Sequence, residues 1–395
     1  MSILMSIIGI LVTLGVAYLF SNNRKNVKWK PIAIMFGMQI LSVLFIFKTT
    51  IGGKIVEGVA GYVAKIMAFA NTGISFVTGG WVPEGTVSVF FLNVMLITVF
   101  TSALISLLNY IRVLPYTIKF IGSILSKITG LPMIESFAGV GAVVLGQSEV
   151  LLSIKNNVQN LTTNRLLIVS GSAMGSISAS LVGVYMTMLE PKYVLVAMIL
   201  NMFSMLMIGS ILSPVDNVNK DEKIDIKAMI KEKSVFEAIG NGAIDGGKVA
   251  LIVSGMLIAY LGLIEMFNAI SSGLVGMDLT TILGYVFAPI MFVAGVPVDE
   301  VVKAGSVMAT KLIANEFVSI SMLSPMVESL SAKTTAILSV AQISFASVGS
   351  IGMIAGSVQA FNGKKASEIS KYGLRLLAIA FIGSLFSGII VGLFV

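Results

Sequence analysis

The sequence predicts an all-α polytopic membrane protein with eight transmembrane helices, two re-entrant hairpins in an inverted repeat, and interfacial helices. Three observations carry this. Hydrophobic residues make up 56% of the 395 and charged residues only 11%, and mean hydropathy is +0.98. A soluble domain needs roughly 25% charged residues to clothe its surface. The apolar residues gather in runs of about 20, the length that spans a bilayer core of about 30 Å. The polar residues that interrupt such runs form two similar clusters, one in each half. Cys and His are absent, which excludes disulfides, thiolate and imidazole metal sites, and Ser-His-Asp or Cys-His catalysis.

Full-length spans are predicted over 2–20, 31–50, 91–114, 164–187, 192–213, 247–270, 333–360 and 371–395. The first has no basic residue before it, Arg24 and Lys25 after it, and no small-residue cleavage site. It is expected to stay as a helix with its N-terminus outside. Eight crossings then put inside all of the 26 Lys and Arg except Lys48, Lys54, Lys65, Lys192, Lys303, Lys311 and Lys333. The positive-inside rule is satisfied with both termini outside. The net charge of +7 is thereby a topology signal. A nucleic-acid face would cluster Lys and Arg with few apolar runs between them, so the expected partner is the lipid bilayer and no nucleic acid.

Two apolar stretches do not fit as simple spans. Residues 131–158 hold Glu135, Glu149 and Lys155, interrupted by Gly139, Gly141 and Gly146. Residues 279–325 hold Pro289, Pro297, Asp299, Glu300, Lys311 and Glu316. A single crossing by each would invert the charge bias of the later loops, whereas entry and return on one side preserves it. Each is therefore a re-entrant hairpin, the first from the cytoplasm and the second from outside. Irregular backbone at membrane depth survives only where it is buried or lines a cavity.

A helix rich in small polar residues follows each hairpin: Ser170, Gly171, Ser172, Ser176, Ser178 and Ser180 after the first, and Ser344, Ser347, Gly349 and Ser350 after the second. A hairpin and a broken helix, repeated from opposite sides, place a substrate site near the midplane between the halves. Small residues also let helices pack closely, and for Ser172 and Ser178 packing is the simpler reading.

The organisation expected is two N-terminal helices (1–50), interfacial helices with a scaffold helix (51–130), then hairpin 1 with helices 4 and 5 (131–213). A cytoplasmic linker with an interfacial helix (214–246), scaffold helix 6 (247–278), and hairpin 2 with helices 7 and 8 (279–395) complete it.

Charges inside a membrane are costly and each requires a reason. Gly146-Gln147-Ser148-Glu149 follows an apolar run in hairpin 1, and Asn315-Glu316 sits between apolar runs in hairpin 2. They read as two walls of one polar cavity; a buried Glu316–Lys311 ion pair is the alternative for Glu316. Gln147 and Ser148 donate and accept, while ionised Glu149 and Glu316 accept. Such a set suits a neutral polyhydroxyl or amide-bearing solute, and Phe345 offers a face for a planar ring. Neither hairpin contains Arg to hold an anion.

Gly242 to Gly247-Lys248 has the spacing of a phosphate loop, but Val249 replaces the Ser or Thr and no strand precedes it, so an NTPase is excluded. Asn160-Leu161-Thr162 matches a glycosylation acceptor on the predicted inside and carries no weight. A hydrolase using two Glu as acid and base lacks any orienting group or metal ligands, so no enzyme is expected. A channel or gate-type protein for another polar solute is the alternative to a transporter.

The run Ala309-Thr310-Lys311-Leu312-Ile313-Ala314-Asn315-Glu316-Phe317-Val318 resembles the (G/A)-x-K-x-x-x-N-E-F-V-A signature of the concentrative nucleoside transporters. Gly146-Gln147-Ser148-Glu149 is similar to the family's G-Q-(S/T)-E, and Ile282 to Pro289 and Gly242 to Ile264 look similar too. The resemblance runs in register along the whole chain and points to a bacterial member. It implies a homotrimer in the bacterial inner (cytoplasmic) membrane, with an elevator-like transport domain moving against a scaffold of the third and sixth helices. It implies that Gln147, Ser148 and Glu149 face the nucleobase, and that Glu316 takes the ribose with Ser347 and Ser350, beside Asn315 and Phe345. No cofactor is implied; the coupling ion is H+ or Na+.

Two departures stand out. Where family members often have Phe-Ala-Asn, this chain has Phe345-Ala346-Ser347, which lacks the reach of an amide. Sodium-coupled members resemble one another in an Asn four residues before the hairpin Gly, where this chain has Ala142. A hard cation needs an oxygen shell; the carbonyls of Leu145 and Ile177 and the Ser176 hydroxyl would be a residual sodium site. Proton coupling is favoured. A carboxylate removed from water takes up a proton more readily, so Glu149 and Glu316 are the candidate carriers.

Overall fold

The computed structural model describes residues 2–79, 89–215, 222, 224–230 and 232–395. Lys220, Asp221, Lys223 and Lys231 of the predicted linker lie outside these. Among the described residues every regular element is helical.

The apolar runs become α1 (Ser2–Leu19) and α2 (Trp29–Lys48), joined through a short basic turn at Arg24–Asn26. The Thr49 hydroxyl caps α3 (Thr50–Thr78) by accepting from Gly52 N, and Gly79 ends it in the left-handed region. α4 (Ile97–Tyr110) follows a π-helical turn over Phe91–Met95. α5 (Val113–Thr129) is one-sided: Ile118 and Leu125 are buried while Tyr116, Phe120 and Ile124 are exposed.

The first hairpin is α6 (Met133–Leu145), α7 (Gln147–Ser153) and the single turn α8 (Lys155–Val158). The span after it is broken as expected, into α9 (Thr163–Met174) and α10 (Val182–Met188). α11 (Pro191–Leu212) and α12 (Val235–Val275) follow, then α13 (Leu279–Val293), α14 (Val301–Ile313) and α15 (Glu316–Leu323). Another broken span, α16 (Ala332–Gln342) and α17 (Val348–Gln359), leads to α18 (Gly363–Lys371) and α19 (Gly373–Gly392).

Six helices are long and apolar enough to cross a membrane among the described residues: α2, Phe91–Tyr110, Thr163–Met188, α11, α12 and α19. The other two predicted spans are α1, which is slightly short, and α16–α17, which is interrupted.

Two boundaries differ from the sequence reading. α12 begins at Val235 and not near 247, capped by Ser234, whose hydroxyl accepts from Glu237 N at 3.1 Å. Its 41 residues extend about 60 Å, so one end projects well past a bilayer core, which is why its polar first turns read as linker. The stretch 279–325 is also more than one hairpin. α13 and α14 pack as a close pair at Gly284 and Gly305, where a Cβ on Gly284 would lie 2.5 Å from the Val302 carbonyl. The chain then breaks at Ala314-Asn315 before α15.

The phosphate-loop spacing has a packing explanation. A Cβ on Gly242 would sit 2.7 Å from Ser102 O, and Gly246 meets α4 near Thr98 and Val99 equally closely. Small residues four apart let the two helix backbones touch.

The two halves keep one register. The separation that carries Ala142 to Lys311 also carries Gly146 to Asn315 and Ser178 to Ser347, and it brings α6, α7, α9 and α10 onto α14, α15, α16 and α17. Their directions are opposite. Asn164, at the start of α9, accepts from Asn22 at 3.0 Å and donates to Pro214 O at 2.7 Å. That end also holds Arg375, which donates to Phe20 O just past α1 at 3.1 Å and to Leu212 O at the end of α11 at 3.2 Å. Lys333, at the start of α16, lies at the other end, where a Cβ on Gly295 would meet it together with Ser6 of α1. Gly392 of α19 also lies against Lys333, so the two chain ends share one end of the molecule.

Candidate functional site

Both hairpin tips and both helix breaks open onto one cavity of about 800 Å³. Its lining includes all eight residues expected to bind substrate: Gln147, Ser148, Glu149, Asn315, Glu316, Phe345, Ser347 and Ser350. Ser178, assigned to packing by the sequence, lines it as well.

The first tip turns at Gly146, with φ +100°. A Cβ there would lie 2.8 Å from Ser178 Cβ and 3.2 Å from Glu149 Oε2. Only glycine accepts both the backbone conformation and the close approach. α7 begins immediately after it, so Glu149 lies in a first turn; α15 likewise begins at Glu316. Helix N-termini favour negative charge, which helps two carboxylates to exist at this depth. Asn315 has a structural role as well, because its Oδ1 accepts from Val318 N at 2.9 Å and caps α15.

The carboxylates differ in setting. Glu149 is exposed towards the cavity, while Glu316 is 3% exposed. Tyr185 of α10 donates its hydroxyl to Glu316 Oε1 at 3.1 Å and stacks on Phe317, ring centroids 5.0 Å apart. Tyr185 was missed by the sequence reading. The signal was faint: a buried tyrosine in an apolar helix usually has a hydrogen-bond partner somewhere, but nothing local names it. Lys311 does not bond Glu316; its Nζ donates to the Ala341 carbonyl, to Ser344 Oγ at 2.6 Å and to Ser384 Oγ at 3.4 Å. The alternative of a buried Glu316–Lys311 pair is thus replaced by two separate sets of bonds.

Several polar atoms at the cavity remain available. Gln147 Nε2 touches only Met353 Sδ, at 3.6 Å, and its buried Oε1 has no hydrogen-bond partner among the described residues. Ser148 Oγ accepts from Ser357 Oγ at 2.9 Å, and Ser347 and Ser350 share a 3.2 Å contact. Leu145 lines the cavity; Ser176 and Ile177 are buried outside that lining. Ala142 is fully buried and brings no side-chain oxygen, whereas Ser176 Oγ is buried without a partner among the described residues. Away from the tips the cavity reaches Asn109 of α4, Met229 and Glu232 of the linker, and Asn241 and Asp245 of α12.

Below the first hairpin lies a buried charge cluster. Arg165 donates to both Glu135 oxygens, at 2.5 and 2.7 Å, and to both Glu222 oxygens, at 2.7 Å for Oε2. It ties α6, α9 and the linker together.

Opposed broken helices around a polar cavity, inside an apolar helical body, define the class of secondary membrane transporters. Residues 8–81 match the N-terminal and residues 193–392 the C-terminal family model of the Na+ dependent nucleoside transporters. Over full length the chain is 32% identical to the "Purine nucleoside transport protein NupG" of Bacillus subtilis, covering 100% of both. It is 32% identical to the "Putative nucleoside permease NupX" of Escherichia coli, covering 100% of this chain and 99% of that one. The fold matches CNTnw in an inward-facing substrate-bound state with a TM-score of 0.94 at 29% identity, covering 100% of this chain and 99% of that one. The chain belongs to the concentrative nucleoside transporter family, as a bacterial member; its relatives are transporters and not enzymes.

Proposed function

We propose that this nucleoside transporter imports its substrate through the cavity between the two hairpins, driven by an inward cation gradient with the proton favoured over sodium. One observation carries the reading: polar clusters far apart in sequence converge on one cavity of about 800 Å³, a size suited to a small polar ligand. Gln147, Ser148 and Glu149 face the nucleobase, and Phe345 stacks on its ring. Glu316, Ser347 and Ser350 take the ribose hydroxyls, with Asn315 fixing the helix that carries Glu316. A buried set built for OH and NH groups strongly rejects solutes lacking them.

Proton coupling is supported by Ala142, which supplies no oxygen where a sodium ion would need one. The Ser176 hydroxyl with the Leu145 and Ile177 carbonyls is left as a partial sodium shell. Glu149 and Glu316 are the carriers on offer. The cavity reaches the linker, and the linker lies on the side to which the charge bias assigns most Lys and Arg, so the conformation is read as inward-facing with both termini outside. Transport proceeds by elevator motion of the hairpin domain past the α4–α12 scaffold in a homotrimer of the bacterial inner membrane, each subunit having eight transmembrane helices and two re-entrant hairpins. The domain boundaries follow the sequence division, with the linker ending at 234.

The test is uptake of labelled uridine and adenosine into proteoliposomes under an imposed proton or sodium gradient. Saturable accumulation under the proton gradient, collapsed by a protonophore, is expected. Accumulation no greater than in empty vesicles under either gradient would sink the reading; non-saturable equilibration would make the protein a channel.

A further inference from the structure

We propose that the Lys311 ammonium is a built-in cation that holds the α16–α17 break in its substrate-binding shape, making Lys311 a positioning residue for the site. The proposal rests on the nucleoside reading above.

Lys311 is fully buried and does not line the cavity. An ammonium has three N–H donors and no acceptor. Its bonds go to the Ala341 carbonyl, Ser344 Oγ and Ser384 Oγ, so the donors are all used and no carboxylate is bonded. Ser384 can accept because its own proton goes to Phe381 O at 3.0 Å. Ala341 belongs to the last turn of α16, where carbonyls lack helical partners and carry partial negative charge. The charge of Lys311 thus faces a helix end, with the Glu316 carboxylate near but not bonded to it, and it links α14, α16 and α19 at the point where α16 unwinds. Phe345, Ser347 and Ser350 follow within a few residues. The same unwound segment is held from the other side by Asn201, whose Nδ2 donates to Ile343 O at 2.5 Å.

The repeat shows what is unusual about this. In register, Lys311 corresponds to Ala142, and the end of α16 to the end of α9. The first half has a methyl group where the second has an ammonium. There, the buried hydroxyls of Ser172 and Ser176 have no hydrogen-bond partner among the described residues. One broken helix thus carries its cation covalently, whereas the other leaves its hydroxyls open to a mobile partner. The Lys311 half is thereby set in shape by a cation of its own.

The experiment measures equilibrium binding of labelled uridine and adenosine to the purified full-length protein in detergent, alongside its melting temperature. Choline or methylammonium chloride is present at equal ionic strength. Lys311→Met keeps the length and removes the charge; Lys311→Ala leaves room for a small cation. Both should weaken nucleoside binding about tenfold or more. Methylammonium should restore several-fold affinity and raise the melting temperature of Lys311→Ala alone, a response that a space-filling role would not give. Unchanged affinity in Lys311→Met, or a Lys311→Ala protein indifferent to methylammonium, overturns the proposal. If neither variant accumulates, Ser344→Ala decides: it should lose about threefold or more in affinity, and unchanged affinity overturns the proposal. Should the wild type bind neither nucleoside, the nucleoside reading fails, and the melting response of Lys311→Ala still decides the role of Lys311.

Discussion

The Tyr185 hydroxyl donates to Glu316 Oε1 at 3.1 Å, joining the broken helix of one half to the hairpin tip of the other. Tyr185→Phe keeps the stack on Phe317 and removes only this bond. A hydrogen bond to a charged group contributes about 1.5–3 kcal/mol; its loss should lower the melting temperature and, by freeing the Glu316 carboxylate to move, weaken nucleoside affinity about tenfold. Titration with labelled uridine and adenosine checks it.

Gly146→Ala introduces a Cβ that would lie 2.8 Å from Ser178 Cβ, at a φ of +100°. Strain of this kind costs about 1–3 kcal/mol, and the tip carrying Gln147, Ser148 and Glu149 must shift to relieve it. Uptake should drop at least tenfold while membrane abundance stays within about twofold, read by immunoblot and initial uptake rate.

Glu135 is fully buried, and its carboxylate accepts from Arg165 at 2.5 and 2.7 Å. Arg165 also holds Glu222, so it is removal of Arg165 that leaves the Glu135 carboxylate buried without its cation, a loss that costs about 3–5 kcal/mol. Arg165→Leu should lower the melting temperature clearly. The double variant Glu135→Leu with Arg165→Leu should cost less than the sum of the single changes.

Ala142→Asn adds the side-chain oxygen that the proposed sodium shell of Leu145, Ser176 and Ile177 lacks. Uptake by this variant should become stimulated by sodium, while wild-type uptake is indifferent to it. Parallel uptake assays in sodium and choline buffers test the difference.

On the linker side, Glu368 is held below the ordinary carboxylate value of 4.5: burial opposes this, but bonds from Lys365 and Thr163 and the nearby Lys371 charge outweigh it. A group depressed in the folded state adds stability above its unfolded value and loses it as pH falls through the folded one. The contact between α18 and α9 should therefore weaken below about pH 4.5. Glu368→Gln should lower the melting temperature at pH 7, and the difference from wild type should shrink as pH falls below 4.5.

Much of the site was legible because charges in an apolar chain are few. Glu149 and Glu316 stood out at once, and Gly146 and Asn315 marked the two tips. Their meeting in one cavity followed from the repeat. Other features left no trace in hydropathy. The polar start of α12, with Glu237 and Asp245, resembles a linker because a helix projecting past the bilayer carries the same residues as a loop. Tyr185 depends on a partner 131 residues away, and no local pattern encodes that distance. Lys311 was visible, but its acceptors are a carbonyl and two serines, which sequence does not distinguish from packing. For Ser178 the packing reading fell short: the residue lines the cavity and abuts Gly146.

Uptake of labelled uridine and adenosine by Glu316→Gln, set against its abundance in the membrane, tests the central claim most directly. The change keeps the shape and removes the charge at one wall of the cavity. Loss of uptake with wild-type abundance is the predicted result. Uptake at the wild-type rate would remove Glu316 from the site and contradict the two-hairpin cavity as the transport path.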